Sequence, residues 1–138
     1  MDNKAHATLD AIRVKIEHSS GNVAPLLHEI RHALSLLLDR GESTCIDLKS
    51  IPLAPGEEER IVAALGKGEV RAEVDAFGMS EIAETEFPGV WVVSHCDENG
   101  ACQARFIEVT QVPDILRSQN SDIADGLARL TTRLTVDG

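Results

Sequence analysis

The segment from His28 to His32, HEIRH, fits the H-E-x-x-H pattern of zinc hydrolases. On a helix, this pattern places two imidazoles one turn apart, where they can bind zinc together, and the adjacent glutamate can activate a water molecule. The pattern therefore raises two hypotheses. One is a zinc metallopeptidase with Glu29 as the general base, and the other is a simpler metal site formed by His28 and His32.

The rest of the sequence argues against the peptidase. Catalytic zinc takes three protein ligands and leaves a further position open for water. In the extended form of the motif, a glycine and a third histidine follow, but Ser35 and Leu38 occupy those positions. The chain also contains no tyrosine that could stabilise an oxyanion. His28 and His32 therefore remain the candidate metal ligands, and no catalytic residue is predicted.

Two cysteines flank the turn of a predicted β-hairpin. If Asn99-Gly100 is a two-residue turn, the Cys96 and Cys102 thiols point to opposite faces of the hairpin. If residues 98–100 form a three-residue loop with Gly100 left-handed, Cys96 lies opposite Cys102. Only then can the pair form a disulfide or share a metal. The C-x5-C spacing differs from the repeated C-x-x-C of zinc and iron–sulfur sites, so we expect incidental thiols. Cys45, in a β-prone apolar stretch, is predicted to be a core residue.

The histidine pair lies on the helix that the sequence predicts most clearly. Asn22 is expected to cap this helix and Gly41 to end it. One apolar stripe runs along it, formed by Val23, Leu26, Leu27, Ile30, Ala33, Leu34, Leu37 and Leu38. His28 and His32 fall on the side opposite this stripe, so the same spacing is also typical of an ordinary solvent-exposed helix face.

The other elements follow from hydrophobic periodicity and turn residues. Helices are predicted at residues 5–16, 55–66 and 122–134, with Ser121 capping the last, and strands at 44–48, 69–76, 80–87, 89–96 and 102–109. The organisation is an N-terminal helix and linker at residues 1–22 and a single domain at residues 23–138. The predicted fold class is α+β, with a mostly antiparallel sheet of about five strands packed with N-terminal, central and C-terminal helices.

The apolar run from Val90 to Val93 does not alternate with polar residues. A strand of this kind is expected to be covered on both faces. A helix can cover one face, and another helix or a second subunit, in a homodimer, can cover the other.

Composition limits the partners. The 138 residues carry a net charge of −10, which repels phosphate backbones and anionic lipids, so nucleic acid and membrane surfaces are not expected as partners. No apolar run approaches the ~20 residues of a membrane-spanning helix. An odd number of cysteines, three, suits a reducing compartment. We therefore expect a cytoplasmic protein.

Three stretches resemble a known family. They are IDLKSIPLAPGEEERIVAALGKGEV (46–70), ETEFPGVWVVSH (84–95) and FIEVTQVPDILRSQNSDIADGLARL (106–130). Together they are similar to the C-terminal conserved region of the HupH/HyaF-type hydrogenase expression proteins, over roughly residues 26 to 134. Family members usually carry a further N-terminal region, where this chain has only a short predicted helix and linker.

The resemblance implies a non-enzymatic, chaperone-like accessory factor for an uptake NiFe hydrogenase. It implies no cofactor, and it implies binding to the hydrogenase small-subunit precursor, which carries the iron–sulfur clusters, or to other assembly proteins. The segment Phe87, Pro88, Gly89, Val90 and Trp91, with the hairpin that follows, is the expected partner-binding surface. The alternative is a small metal-binding protein that uses His28 and His32, or Cys96 and Cys102.

Overall fold

The computed structural model describes residues 21–75 and 78–137 of the chain. The predicted N-terminal helix at residues 5–16 lies outside these residues. The helices are α1 (Val23–Arg40), α2 (Glu57–Leu65) and α3 (Asn120–Asp137), with short 3-10 helices at Leu48–Ser50 and Asp114–Leu116. The strands are β1 (Thr44–Asp47), β2 (Arg71–Asp75), β3 (Met79–Glu84), β4 (Val90–Cys96) and β5 (Cys102–Val109).

The five strands form one sheet in the order β1-β5-β4-β3-β2, and every neighbouring pair is antiparallel. The predicted α+β class with a five-stranded antiparallel sheet is therefore confirmed. Strand β4 lies at the centre and pairs with β3 and β5, which agrees with its uninterrupted apolar sequence.

Helix α1 begins and ends where the sequence predicts, but only its end is formed in the expected way. Gly41 is left-handed (φ 69°) and its N–H donates to the Leu37 carbonyl at 2.9 Å, as in a helix C-cap. At the other end, Asn22 makes no side-chain cap. Its side-chain amide instead donates to the carbonyl of Pro52 and to Glu57 Oε1, at 3.2 and 3.3 Å.

Glu57 explains this exchange, because it ties the starts of the two helices together. The carboxylate is fully buried at the first position of α2 and accepts the backbone N–H of Ala54 at 2.6 Å as well as the amide of Asn22. Buried carboxylates are stabilised by such hydrogen bonds and by the positive end of a helix dipole. The Asn22 side chain therefore makes a tertiary contact with Glu57, although the sequence predicts that it caps its own helix.

One face of the sheet packs against α1 and α2. Its core consists of apolar residues from both helices, from β1, β4 and β5, and from the segment after β1: Val23, Leu26, Ile30, Ala33, Ile46, Leu48, Ile61, Leu65, Val90, Val92, Ile107 and Val109. This face contains the larger of the two apolar clusters, and the helix stripe predicted from the sequence supplies four of its residues.

The opposite face is covered by a loop. Ile82, Trp91 and Val93 are buried there and pack with Ala72, Val74, Phe106 and Leu116. The prediction that Val90 to Val93 is covered on both faces is confirmed, since all four residues are at most 9 % exposed. The second cover comes from the segment around the 3-10 helix Asp114–Leu116, and it needs neither another long helix nor a second subunit.

Helix α3 is longer than predicted and packs differently. It starts at Asn120, so Ser121 lies within the first turn and is not the cap. The expected packing of this helix against the sheet is absent, because its large apolar side chains are exposed, Ile123 by 54 % and Leu127 by 66 %. Within the described residues, no helix is both long enough and apolar enough to span a bilayer.

Candidate functional site

The predicted partner-binding segment forms a tight turn between β3 and β4. The Val90 N–H donates to the Phe87 carbonyl at 2.9 Å, and Gly89 is left-handed (φ 92°), as the third position of a type II turn with Pro88 before it requires. A side chain at position 89 would also meet Leu34 and Leu37 of α1 at 3.4 Å. The turn is thus fixed against the end of α1.

Thr85 holds the turn from within. Its hydroxyl, 2 % exposed, accepts the Phe87 N–H at 3.1 Å and lies 3.2 Å from the Phe87 carbonyl, to which it donates. Phe87 is therefore presented on a rigid backbone although its ring is 42 % exposed. A half-exposed aromatic side chain on a fixed backbone is a favourable element for protein recognition, because the backbone loses little conformational entropy on binding.

The second half of the segment is internal. Val90 is fully buried and Trp91 is 5 % exposed, so these two side chains support the surface and do not form it. The Trp91 indole N–H donates to the Thr110 carbonyl at 3.1 Å, and the Thr110 N–H donates to the Gly89 carbonyl at 2.9 Å. Of the five residues in the predicted segment, Phe87 and Pro88 are exposed and Gly89 is partly exposed.

The segment after Thr110 adds apolar surface beside this turn. Val112 is 48 % exposed and Ile115 is 41 % exposed, although Pro113 between them is buried. Because Thr110 is hydrogen-bonded to Gly89 and Trp91, the turn at residues 87–89 and the segment at residues 110–115 are tied to each other. We call Phe87 and Pro88 the turn surface.

The two histidines of the HEIRH segment lie exposed on α1, as the sequence predicts for its polar side. Residues 21–75 and 78–137 contain no group of three or more His, Cys, Asp or Glu side chains arranged to hold a metal ion. Within these ranges, no third ligand accompanies His28 and His32.

The hairpin between β4 and β5 adopts the three-residue loop of the two alternatives. Gly100 is left-handed (φ 84°), and Cys96 lies opposite Cys102, with which it forms a disulfide. The register shifts by one residue, since His95 pairs with Ala104. This shift and the loop together bring the thiols face to face, so the expectation of incidental thiols is wrong. The bonded sulfurs are also not free to bind metal.

Asp97 organises the loop independently of the disulfide. Its carboxylate accepts the backbone N–H groups of Asn99 and Ala101 at 2.9 and 3.0 Å, and the side-chain amide of Gln103 at 3.2 Å. An aspartate that bonds the backbone two residues ahead is a common turn former.

An open cleft of about 210 Å³ lies on the helix-bearing face of the sheet, where α1 and α2 leave the strands uncovered. Arg105 crosses it, with its guanidinium 3.1 Å from Glu58 of α2 and 3.2 Å from the Ser94 hydroxyl. Arg71 pairs with Glu81 at 2.9 Å at the outer end. Both arginines that line the cleft are thus paired with carboxylates, and this leaves them little charge to offer a ligand.

Sequence reasoning missed the cleft because its ion pair joins residues 47 positions apart. The only local signal is Arg105 itself, a charged residue that shares the inward-facing side of β5 with Ile107 and Val109.

Two ionisable groups that are paired across β1 and β5, Glu108 and Cys45, have shifted pKa values. Glu108, which pairs with Trp91 in the sheet, has a raised pKa. Burial is the main cause, Asp114 adds to it, and His95 opposes it. The pKa of Cys45 is also raised, by partial burial and then by Glu108 and Asp47. Cys45 is nevertheless exposed at the sheet edge, so its prediction as a core residue is wrong. Strand β1 alternates, and its inward residue is Ile46.

Comparison with known proteins gives a consistent result. The sequence model described as HupH hydrogenase expression protein, C-terminal conserved region, matches residues 21–136. The hydrogenase expression/formation protein HoxQ of Azotobacter vinelandii is 28 % identical over 111 residues, which are 79 % of this chain and 39 % of HoxQ. The chain therefore spans about two fifths of the length of this curated relative.

A solved structure shows the same fold. The hydrogenase expression protein HupH from Thiobacillus denitrificans ATCC 25259 superimposes with a TM-score of 0.79 at 44 % sequence identity. The match covers 84 % of this chain and 97 % of that one.

Proposed function

Because the chain belongs to the family of HupH hydrogenase expression proteins, we propose that it is an accessory factor in the maturation of an uptake NiFe hydrogenase. The observation that carries the proposal is the family match over residues 21–136, which includes almost every described residue. The solved HupH protein, at 44 % identity, supports it. In this proposal the chain works in the cytoplasm and assists assembly without catalysing a reaction.

We further propose that the partner is the hydrogenase small-subunit precursor and that the turn surface contacts it. Phe87 supports this, because its ring is 42 % exposed on a backbone that Thr85 and Gly89 hold fixed. Aromatic side chains at the centre of an interface often contribute most of the binding energy. The net charge of −10 favours a partner surface with basic residues.

The test is a binding measurement between the purified chain and the small-subunit precursor. We expect a saturable complex that Phe87→Ala weakens about tenfold or more, which corresponds to loss of a contact worth at least ~1.4 kcal/mol. Leu38→Ala is the matched control. Leu38 is 86 % exposed on α1 but outside the turn surface, so its replacement should leave binding unchanged.

Two results would contradict the proposal at different levels. Equal binding of the precursor by the wild type and by Phe87→Ala would show that the turn surface is not the contact site, although the precursor would still be the partner. If the chain forms no complex with the precursor, and a strain lacking the gene matures its hydrogenase normally, the proposed accessory function is wrong.

A further inference from the structure

Helix α3 carries an apolar stripe that nothing in the described structure covers. Ile123, Leu127, Leu130 and Leu134 follow one another at spacings of four, three and four residues, and they are 54 to 66 % exposed. These spacings place all four on one side of the helix, as in the seam of a coiled coil.

A helix with such an exposed apolar stripe is expected to pack against another surface. Most helical stability in proteins comes from packing of an apolar face, and isolated helices of this length are marginal in water. An exposed stripe of four large aliphatic side chains is also a marker of a protein–protein contact.

The charges along α3 indicate what the partner surface is. At 100° per residue, Asp122 near the start of the helix and Arg133 near its end lie on the same flank of the apolar stripe. A second copy placed antiparallel sets Asp122 of each helix within about two residues of Arg133 of the other, where opposite charges attract. In a parallel copy, this flank would face the uncharged flank of Ala124 and Thr131, and the two charges would have no such partner.

The apolar residues fit the same arrangement. In an antiparallel pair, Ile123 of one copy lies level with Leu134 of the other, and Leu127 lies level with Leu130. The residues that flank the seam include Ala124 and Thr131, which are small enough for the helices to approach closely.

We propose that the apolar stripe of α3 pairs antiparallel with the same stripe of a second copy of the chain. The seam is only about three turns long. The area that it buries should therefore be smaller than the ~800 Å² per partner of a standard interface. The dimer should therefore form and dissociate over an accessible range of protein concentration. This inference does not depend on the proposed hydrogenase partner.

Sedimentation equilibrium over a hundredfold concentration range tests the pairing. The wild-type mass should rise from one chain, 14.9 kDa, towards twice that value. Leu127→Glu, which places a charge in the seam, should hold the mass at one chain over the whole range. Leu38→Glu is the control, because Leu38 is more exposed than Leu127 but lies on α1, and this variant should associate like the wild type. A wild type that stays at one chain mass overturns the proposal.

The antiparallel orientation is tested separately. A spin label at Ser121→Cys, in a Cys45→Ser background, should give an inter-label distance above ~20 Å, since about fifteen residues at 1.5 Å each then separate the two labels along the axis. A parallel pair would bring them to about 10 Å, the distance between packed helices, and would overturn the orientation.

The rival occupant is the chain's own segment at residues 5–16, whose apolar residues Ala5, Leu9, Ile12 and Ile16 show the same spacing. The double variant Leu9→Glu/Ile12→Glu distinguishes the two. Unchanged dimerisation supports pairing between copies of α3. Loss of the dimer, to the same extent as in Leu127→Glu, would overturn the assignment of α3 as its own partner.

Discussion

Helices α1 and α3 both have an apolar side, but this side is buried in α1 and exposed in α3. Each has 18 residues and one apolar side. In α1 this side lies in the core, with Ile30 only 3 % exposed, whereas Leu127, at the same position in α3, is 66 % exposed. Periodicity thus predicts which side of a helix is apolar, but it does not predict what covers that side.

The difference follows from how the two helices are attached. The start of α1 is tied to α2 through Glu57, and its end lies against Gly89 of the turn before β4. The chain reaches α3 after the 3-10 helix Asp114–Leu116, whose Leu116 belongs to the second apolar cluster. Beyond that point the apolar side chains face outwards.

Truncation of Ile30 should have the largest effect on stability. Ile30→Ala leaves a cavity between α1 and the sheet, and we expect a loss of about 2–5 kcal/mol in the free energy of unfolding, measured by urea denaturation. Leu38→Ala, on the same helix but 86 % exposed, should change it by less than ~0.5 kcal/mol. Similar losses from the two variants would show that α1 is not held by its buried side.

Removal of the Glu57 carboxylate should have the next largest effect. Glu57→Ala leaves the Ala54 N–H without its acceptor and removes one of the two acceptors of the Asn22 side-chain amide, at an expected cost of about 2–3 kcal/mol in thermal or urea unfolding. Glu59→Ala removes an exposed carboxylate from the same helical turn and should cost less than ~1 kcal/mol. If both cost the same, the helix dipole and not the tie to α1 would account for the role of Glu57.

Glu108 responds to the 3-10 helix that precedes α3, since burial and then Asp114 of that helix raise its pKa. A raised folded-state pKa means that this carboxyl favours folding when protonated and loses that contribution as pH rises through its folded pKa. Glu108→Gln should therefore be more stable than the wild type at about pH 8, and the difference should vanish below the ordinary pKa of 4.5.

Urea denaturation across this pH range measures the difference. Glu98→Gln, exposed in the hairpin loop, is the control and should give a much smaller dependence. A stability gain for Glu108→Gln that grows towards acidic pH would mean that the charged form is favoured by folding, contrary to the expectation.

The smallest effect is expected in α3. Leu130→Ala should change the unfolding free energy by less than ~0.5 kcal/mol in dilute solution, because the side chain is already exposed and alanine is a good helix former. At high concentration the same variant should lose the dimer proposed above. A loss of more than about 2 kcal/mol in dilute solution would show that Leu130 is covered within one chain.

The sequence predicted the elements well where local signals are strong. The bounds of β5 agree with the prediction, and Gly41 ends α1 as expected. The run from Val90 to Val93 correctly indicated a strand covered on both faces. These features depend on residues close together in the chain, and that is why periodicity and turn chemistry find them.

The candidate site was predicted less completely, because its geometry depends on distant contacts. Trp91 looked suited to partner contact, but the carbonyl of Thr110 binds its indole in the interior. Asn22 looked like a cap, but Glu57, 35 residues away, takes its side chain. For the cysteine pair, the choice between the two loops depended on a one-residue register shift that no local pattern encodes.

The exposure of Cys45 has a practical consequence for labelling chemistry. With Cys96 and Cys102 joined, it is the single free thiol among the three cysteines of the chain. A maleimide dye added without reductant should therefore attach once per molecule, at the outer strand of the sheet. Because its pKa is raised, the reactive thiolate is scarce near neutrality, and the coupling should become faster in mildly alkaline buffer.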